Sequence, residues 1–331
     1  MDSANPSTVP TTPPTAKPAS TQDAARTHRV AFIVMALIFI GAPLVGVYPV
    51  FMMKVMCFAL FACAFNLLLG YGGLLSFGHA MFLGSAGYVS AHAAKVWGLT
   101  PELAIAMGAL CAGALGWVAG KLAIRRQGIY FAMITLALAQ LVFFFSLQAP
   151  FTGGEDGIQA VPRGKLFGLF ELTNPAAMYP FVLAIFLGGF LLIYRIVHSP
   201  FGQVLKAIRE NEPRAISLGY DADKFKHRAF VLSATLAGLA GATKAIVFQL
   251  ASLTDVHWSM SGEVVLMTLV GGMGTLFGPV VGAAVIVSMQ NYLAQLGAWV
   301  TVVQGAIFVL CVLLFRRGII GEIGHLLKKS L

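Results

Sequence analysis

The sequence predicts an all-α polytopic membrane protein of about ten transmembrane helices, on three observations. First, 58% of the 331 residues are hydrophobic and only 11% are charged, whereas soluble globular chains carry about 25% charged residues. Second, mean hydropathy is +0.83 and Gly is abundant at 36 residues, and Gly is more frequent in membrane helices than in soluble ones. Third, the apolar sequence falls into blocks long enough to span a bilayer, and the charge between them is concentrated in one internal stretch, 198–228.

Residues 1–29 are rich in Ser, Thr, Pro and Ala without apolar period and read as a disordered cytoplasmic tail. The apolar run that follows is too long for a signal-peptide core and has no small-residue cleavage site, so no processing is expected. A helical span takes roughly 20 apolar residues. That rule places spans near 30–48, 50–70, 74–93, 102–122, 129–149, 178–197, 229–250, 262–274, 277–297 and 299–316. The transmembrane domain is thus 30–317, and 318–331 is a second cytoplasmic tail. Lys17, Arg26, Arg29, Lys121, Arg125, Arg126, Arg195, the basic residues of 198–228, Arg316, Arg317, Lys328 and Lys329 fall on one side when ten spans alternate. Lys95, Arg163 and Lys165 fall on the other. Cytoplasmic loops carry the Lys/Arg excess, so both termini and 198–228 are expected in the cytoplasm. A net charge of +9 then reflects loop asymmetry and membrane lipid rather than nucleic acid. The loop 150–177, with its Thr152–Gly157 turn cluster, reads as a solvated external connection or as a lid for an external partner.

The stretch 198–228 reads as a helix, a turn at Leu218–Asp221 and a second amphipathic piece. Pro200 fits a first helical turn, and Pro213, which follows Glu212, should break or kink the helix. Val204, Leu205, Ile208, Ile216 and Leu218 supply an apolar face, opposite Lys206, Arg209 and Glu210. Such a helix fits the groove of a soluble ATPase or lies on anionic lipid.

A second constellation is Gly70, Gly72, Gly73, Gly78, Gly84 and Gly87 with Ser76 and His79. Small residues let backbones approach closely, and they permit an interrupted helix facing a cavity. An ionisable residue within a span is a candidate for function, so Ser76, Gly78 and His79 are candidates for a translocation path. His79 reads equally as a buried hydrogen-bonded imidazole. GGMGTLFGPVVG at 271–282, with Gly272 and Gly274, echoes GGLLSFGHAMFLG at 72–84 and suggests an internal inverted repeat. Under ten spans, however, both motifs enter the membrane in the same sense, so the echo is either convergence or a sign of a different span count near 262–280. Asn66, Gln140, Gln290, Asn291 and Gln304 read as interhelical hydrogen-bonding groups, and Glu263 as a helix-start carboxylate favoured by the dipole. Lys54 and Lys244 are within snorkelling reach of interfaces. Gly116 and Gly120 form a common helix-packing pair. Cys57, Cys63, Cys111 and Cys311 have no metal or disulfide spacing and read as packing residues.

NLLLGYGGLLSFGHAMFLGSAGYVSAH at 66–92, TGGEDGI, SPFGQVLKAIRENEPRAISLGY, GLAGA and GGMGTLFGPVVGA, in this order and spacing, resemble the LivM-type permease subunits of branched-chain amino acid ABC importers. The resemblance runs from about residue 30 to 320 and leaves out the first tail. It implies an ABC importer permease fold in a bacterial inner membrane. It implies as partners a second related permease in a heterodimer, two cytoplasmic ATPase subunits that hold ATP, and a periplasmic substrate-binding protein. It also implies that 206–219 is the coupling loop, with Glu212, Ala215 and Gly219 at its core and Leu205, Ile208, Arg209 and Glu210 as contacts to the ATPase. The loop departs from other importers after Gly219, where Asp221–Lys226 replaces an Ile-x-Leu-Pro ending. Permeases of this family serve leucine, isoleucine and valine, and others serve urea, short amides or other amino acids.

The sequence offers no Walker A motif, metal-ligand spacing or nucleophile triad, so no enzyme activity and no cofactor is expected on this chain. An ion-coupled secondary transporter is the reading of another class, but it calls for paired ionisable residues at the midplane. The spans offer His79 and no central carboxylate. A membrane enzyme or scaffold lacks a site-like cluster in the spans.

Overall fold

The computed structural model describes residues 21–168, 170–294, 297, 299–314 and 318–326. The expected tail 1–20, Arg316, Arg317, Lys328, Lys329 and the side chains of Arg26, Gln304 and Cys311 lie outside the described residues. Helices account for nearly all regular structure. They are α1 (Thr21–Gly41), α2 (Pro49–Asn66, continued by a π-turn at Leu67–Tyr71), α3 (His79–Lys95), α4 (Pro101–Ala123), α5 (Ile129–Gln148), α6 (Pro175–His198) and α7 (Pro200–Glu210). They continue as α8 (Glu212–Ser217), α9 (Ala222–Phe248), α10 (Trp258–Gly271), α11 (Gly278–Tyr292), α12 (Trp299–Leu314) and α13 (Gly318–Leu326).

A helix covers most of each expected span. Five of them, α2 with its π-turn, α4, α5, α6 and α9, are long and apolar enough to cross a membrane, and α1 contributes a shorter apolar stretch from His28 to Gly41. Several boundaries differ from expectation. The first helix begins at Thr21, inside the stretch read as tail, and it stops at Gly41, short of Pro43, because the residue before a proline avoids helical backbone. The third begins only at His79, leaving 72–78 as a non-helical crossing between α2 and α3. The described part of the second tail, 318–326, is helical: α13 packs on α10 and α11, with Gly318 against the backbone of Gly272.

The centre of the bundle is α2. Its most apolar window is 89% buried, against 28% for α5 at the rim, as expected of a helix that is apolar all round. It packs against α6, α9, α10 and α11. Beside it, α3, α4 and α9 form a tight trio built on small residues. A Cβ on Gly116 would stand 2.5 Å from Cβ of Ala234, and one on Gly238 would stand 2.2 Å from Cβ of Ala112. Gly116 and Gly120 thus pack α4 onto α9, as their spacing suggested. The outward faces of α1, α4 and α5 carry Ile33, Leu37, Leu110, Val118, Met133 and Leu141, all exposed, as a lipid-facing surface requires.

The loop 150–177, expected on the external side, is tied down rather than free. It forms two short antiparallel pairs: β1 (Ile158–Gln159) with β4 (Leu250–Ala251), and β2 (Lys165–Leu166) with β3 (Phe170–Glu171). The guanidinium of Arg163 donates to the carbonyls of Thr173 (2.9 Å) and Val247 (2.8 Å), joining the entry of α6 to the end of α9.

Candidate functional site

The charged stretch folds as two short helices laid against one end of the bundle. Ser199 caps α7, its Oγ accepting from the Gly202 N–H at 3.3 Å. The helix ends at Glu210, where Asn211 caps α8 by accepting from the Arg214 N–H at 3.1 Å. The break before Pro213 is the one its missing N–H predicts. Helix α8 stops at a left-handed Gly219, φ +89°, a position that suits Gly because it has no Cβ. The backbone N–H of Tyr220 then bonds back to the Ala215 carbonyl at 3.2 Å. Asp221 caps α9 by accepting from the Lys224 N–H at 3.1 Å. Hydrogen bonds from Lys224 also draw its carboxyl pKa below the ordinary aspartate value.

Leu205 is wholly buried and Ile208 is 2% exposed. Their apolar faces point into this chain. Leu205 joins the main core, and Ile208 packs with Ala215 and Ala222. These residues anchor α7 to its own bundle. The exposed apolar residues lie instead at Ile216 (55%), Leu218 (70%) and Tyr220 (42%). A helical period shows that a stripe exists, but not whether it faces its own core or a partner.

Arg209 and Glu210 are exposed on α7. Arg209 nonetheless reaches inward: its Nη1 donates to the Gly70 carbonyl at the π-turn of α2. Its side chain also packs along Gly73 and against Gly274. Glu212 is engaged within the chain, where its Oε1 accepts from Lys226 Nζ at 2.6 Å and from Gln127 Nε2 at 3.2 Å. The Lys226 side chain is 6% exposed. Burial lowers the pKa of Lys206, with Glu210 opposing that shift. Lys206 Nζ lies 5.4 Å over the Tyr71 ring.

The end of α2 meets the 271–282 glycine motif here. Asn66 Nδ2 donates to the Thr275 carbonyl at 2.8 Å, and its Oδ1 accepts from the Gly274 N–H at 3.0 Å. A Cβ on Gly70 would stand 2.8 Å from the Gly274 nitrogen. Arg209 therefore touches the turn that ends α2 and the turn between α10 and α11 together. Asn66 was read only as a generic interhelical donor, because nothing in sequence links it to a residue some two hundred positions away. Gly272, φ +125°, sits under Gly318 of α13.

Ser76, Gly78 and His79 lie elsewhere, in the packed interior. Ser76 Oγ accepts from the Gly78 N–H at 3.2 Å, and a Cβ on Gly78 would stand 2.5 Å from the Thr135 carbonyl. His79 is wholly buried among Phe65, Phe82 and Phe230. Its Nε2 shares a hydrogen bond with Ser233 Oγ at 2.8 Å, and Ser233 donates on to the Ala64 carbonyl at 2.5 Å. This is the hydrogen-bonded imidazole of the two readings. Glu263 is not the start of α10: His257 caps that helix, and Glu263 Oε2 accepts from Gln290 Nε2 at 3.0 Å. Lys244 pairs with Asp255 in the connection that follows α9.

Comparison with known proteins agrees with this architecture. The family described as branched-chain amino acid transport system, permease component, matches residues 49–312. The chain is 26% identical over 289 residues to the high-affinity branched-chain amino acid transport system permease protein LivM of Escherichia coli (strain K12), covering 80% of this chain and 68% of that protein. It is 25% identical over 288 residues to the LivM of Salmonella typhimurium, with the same coverage of 80% and 68%. It is also 28% identical over 239 residues to the ribose import permease protein RbsC of Bacillus subtilis (strain 168), covering 67% of this chain and 70% of that one. No solved structure matches. The relatives are named as transport permease components, not as enzymes. A family match across most of the chain, on a bundle of apolar helices with one polar end, makes this a multi-pass membrane protein that belongs to the LivM-type permease components of branched-chain amino acid transport systems.

Proposed function

We propose that this chain is half of the membrane pathway of an ATP-driven, binding-protein-dependent importer, with branched-chain amino acids as cargo. The observation that carries the reading is the node at Arg209. A short helix lying on the end of the bundle is hydrogen-bonded into the turn of the central helix α2, and through Asn66 it is joined to the α10–α11 turn. Movement of α7 and α8 would thereby be delivered to α2, α10 and α11. Two ATPase subunits closing on ATP would supply that movement at Ile216, Leu218 and Tyr220. A second, related permease would complete the pathway, and a periplasmic protein would deliver substrate to it.

Ten crossings, cytoplasmic termini and two halves of inverted topology belong to the same proposal. The positive-inside distribution supports the orientation. Reporter fusions after residues 97, 160 and 220 test it: the first two should report outside and the third inside.

Cargo is the least constrained part. The LivM relatives favour leucine, isoleucine and valine. The similarity to a ribose import permease favours a sugar as the second reading, and urea or short amides remain on the family's range. The deciding experiment measures uptake of labelled leucine, urea and ribose by cells with and without this gene, and co-purification of ATPase subunits with the chain. Loss of leucine uptake alone supports the reading. Loss of another cargo alone keeps the machine and replaces the substrate. A chain that drives uptake without bound ATPase subunits would overturn the mechanism in favour of ion coupling.

A further inference from the structure

A cavity of about 570 Å³ lies beneath α7, lined by His28, Tyr71, His198, Lys206, Arg209 and Glu210. It brings together the first residues of the apolar part of α1, the last of α6, the π-turn of α2 and the inner flank of α7. Four of its side chains are basic and one is acidic. The basic side chains outnumber the one carboxylate, Glu210. Lys206 has no carboxylate within 4.0 Å among the described residues. His28 Nδ1 is buried with no hydrogen-bond partner among them. The two imidazoles stand edge to face with ring centres 5.4 Å apart. His198 Nδ1 donates to the Tyr194 carbonyl at 2.9 Å, and its other ring nitrogen, left free, donates to an anion when the ring is protonated.

An unpaired ammonium at Lys206, beside a guanidinium and two imidazoles that can be protonated, calls for an anion with several acceptor oxygens. The surroundings say where it comes from. The walls are the ends of α1 and α6, which pack together through Phe32 and Phe190 at 5.8 Å. Their outward faces carry exposed Val30, Ile33, Val34, Leu191 and Leu192. The lipid-facing surface of the bundle therefore continues to the rim of a basic cavity, which is the arrangement that holds anionic headgroups between membrane helices. The exposed apolar residues suited to a protein partner, Ile216 and Leu218, lie at the end of α8 instead.

We propose that this cavity binds the phosphate of an anionic phospholipid from the leaflet on the α7 side, with acyl chains along the α1–α6 face. A lipid phosphate there would bridge α1 and α6 to the helix that carries Arg209. The state of the membrane would thereby bear on how firmly α7 is seated.

The test is native mass spectrometry of the assembled complex, titrated with phosphatidylglycerol and read on the mass of this chain. It therefore does not depend on the cargo or on transport. Wild type should retain one phosphatidylglycerol more tightly than phosphatidylcholine. Lys206→Gln should weaken that retention about fivefold, the scale of one basic group near a lipid headgroup, and His198→Gln should weaken it further. Lys224→Gln, an exposed and paired lysine, should leave it unchanged. Retention indifferent to Lys206→Gln and His198→Gln would overturn the proposal. So would displacement of the lipid by an equal concentration of inorganic phosphate, which would make the site one for a soluble anion. Loss of ATPase subunits from Lys206→Gln with lipid retention intact would also overturn it, by placing an acidic protein side chain in the cavity.

Discussion

The guanidinium of Arg209 donates to the backbone carbonyl of Gly70, so a surface helix is wired to the end of the helix at the centre of the bundle. Gly70 lies in a π-turn, where the regular ladder is interrupted and a carbonyl is left for another donor. The same side chain lies along Gly73 and meets Gly274. A Cβ at Gly73 would stand 2.9 Å from the Arg209 side chain, so glycine there is what lets the arginine through.

Removing this link should uncouple the two ends of the node. A hydrogen bond to a charged group contributes about 1.5–3 kcal/mol, equivalent to roughly tenfold to a hundredfold in a coupling equilibrium. Arg209→Ala in the reconstituted importer is expected to keep ATP hydrolysis within about twofold of wild type while uptake per ATP falls at least tenfold. Parallel loss of hydrolysis and uptake would assign Arg209 to ATPase docking instead.

Glu212 and Lys226 make a separable prediction. Their 2.6 Å pair is nearly enclosed, with the lysine side chain 6% exposed and the glutamate 20%. Breaking a buried pair from one side strands a charge and costs about 3–5 kcal/mol, less here because water reaches the glutamate. Glu212→Gln should therefore lower the thermal midpoint of the purified chain, and Glu212→Lys should lower it more. The charge swap Glu212→Lys with Lys226→Glu should recover most of the loss. Full stability in Glu212→Lys, with lost coupling, would show that the carboxylate serves a partner rather than the fold.

Asn66→Ala tests the clamp between the end of α2 and the α10–α11 turn. Both amide groups of Asn66 are used, on Thr275 and Gly274, and deletion leaves a half-buried carbonyl and N–H without that partner, at up to about 1 kcal/mol each. Asn66→Asp retains the acceptor for Gly274 but loses the donor to Thr275. Protection of the 272–277 amides from hydrogen exchange should drop most in the alanine variant and less in the aspartate variant. Equal protection in all three proteins would show that the turn is held by its neighbours alone.

How legible this was in the sequence depends on the range of the interaction. Helix existence is local: apolar runs, Pro200 at a helix start, Pro213 at a break and Gly219 at a helix end were each readable and each took the expected position. Start points were less readable where polar sequence is helix-compatible, as at Thr21–Arg29 ahead of α1. The node was not readable, because it joins residues 66–73, 209 and 274, which no local pattern connects. Charges misled where pairing crosses a loop: Lys244 finds Asp255 and Glu263 finds Gln290, whereas each alone read as an interface or capping group. Leu205 and Ile208 were recognised as anchors, but the direction they face depends on which helices the fold places beneath them.

That direction sets the last prediction. With Leu205 and Ile208 buried in their own chain, a soluble partner is left with Ile216, Leu218 and Tyr220, which are exposed around the end of α8 and the Gly219 turn. Exposed apolar groups that close together mark an interaction surface more strongly than scattered ones. Leu218→Glu adds a charge where the side chain is 70% exposed, so the fold should barely notice: surface substitutions usually stay within about 0.5 kcal/mol. Desolvating that charge in an apolar groove should cost several kcal/mol, on the order of a hundredfold or more in affinity. The expected result is a chain with an unchanged thermal midpoint that no longer retains its ATPase subunits through purification. Leu205→Glu should do the reverse, unfolding the loop before any partner is involved. If Leu218→Glu retains the ATPase subunits at wild-type stoichiometry, the docking surface lies on the charged flank of α7, and the Arg209–Glu210 side must carry the contact.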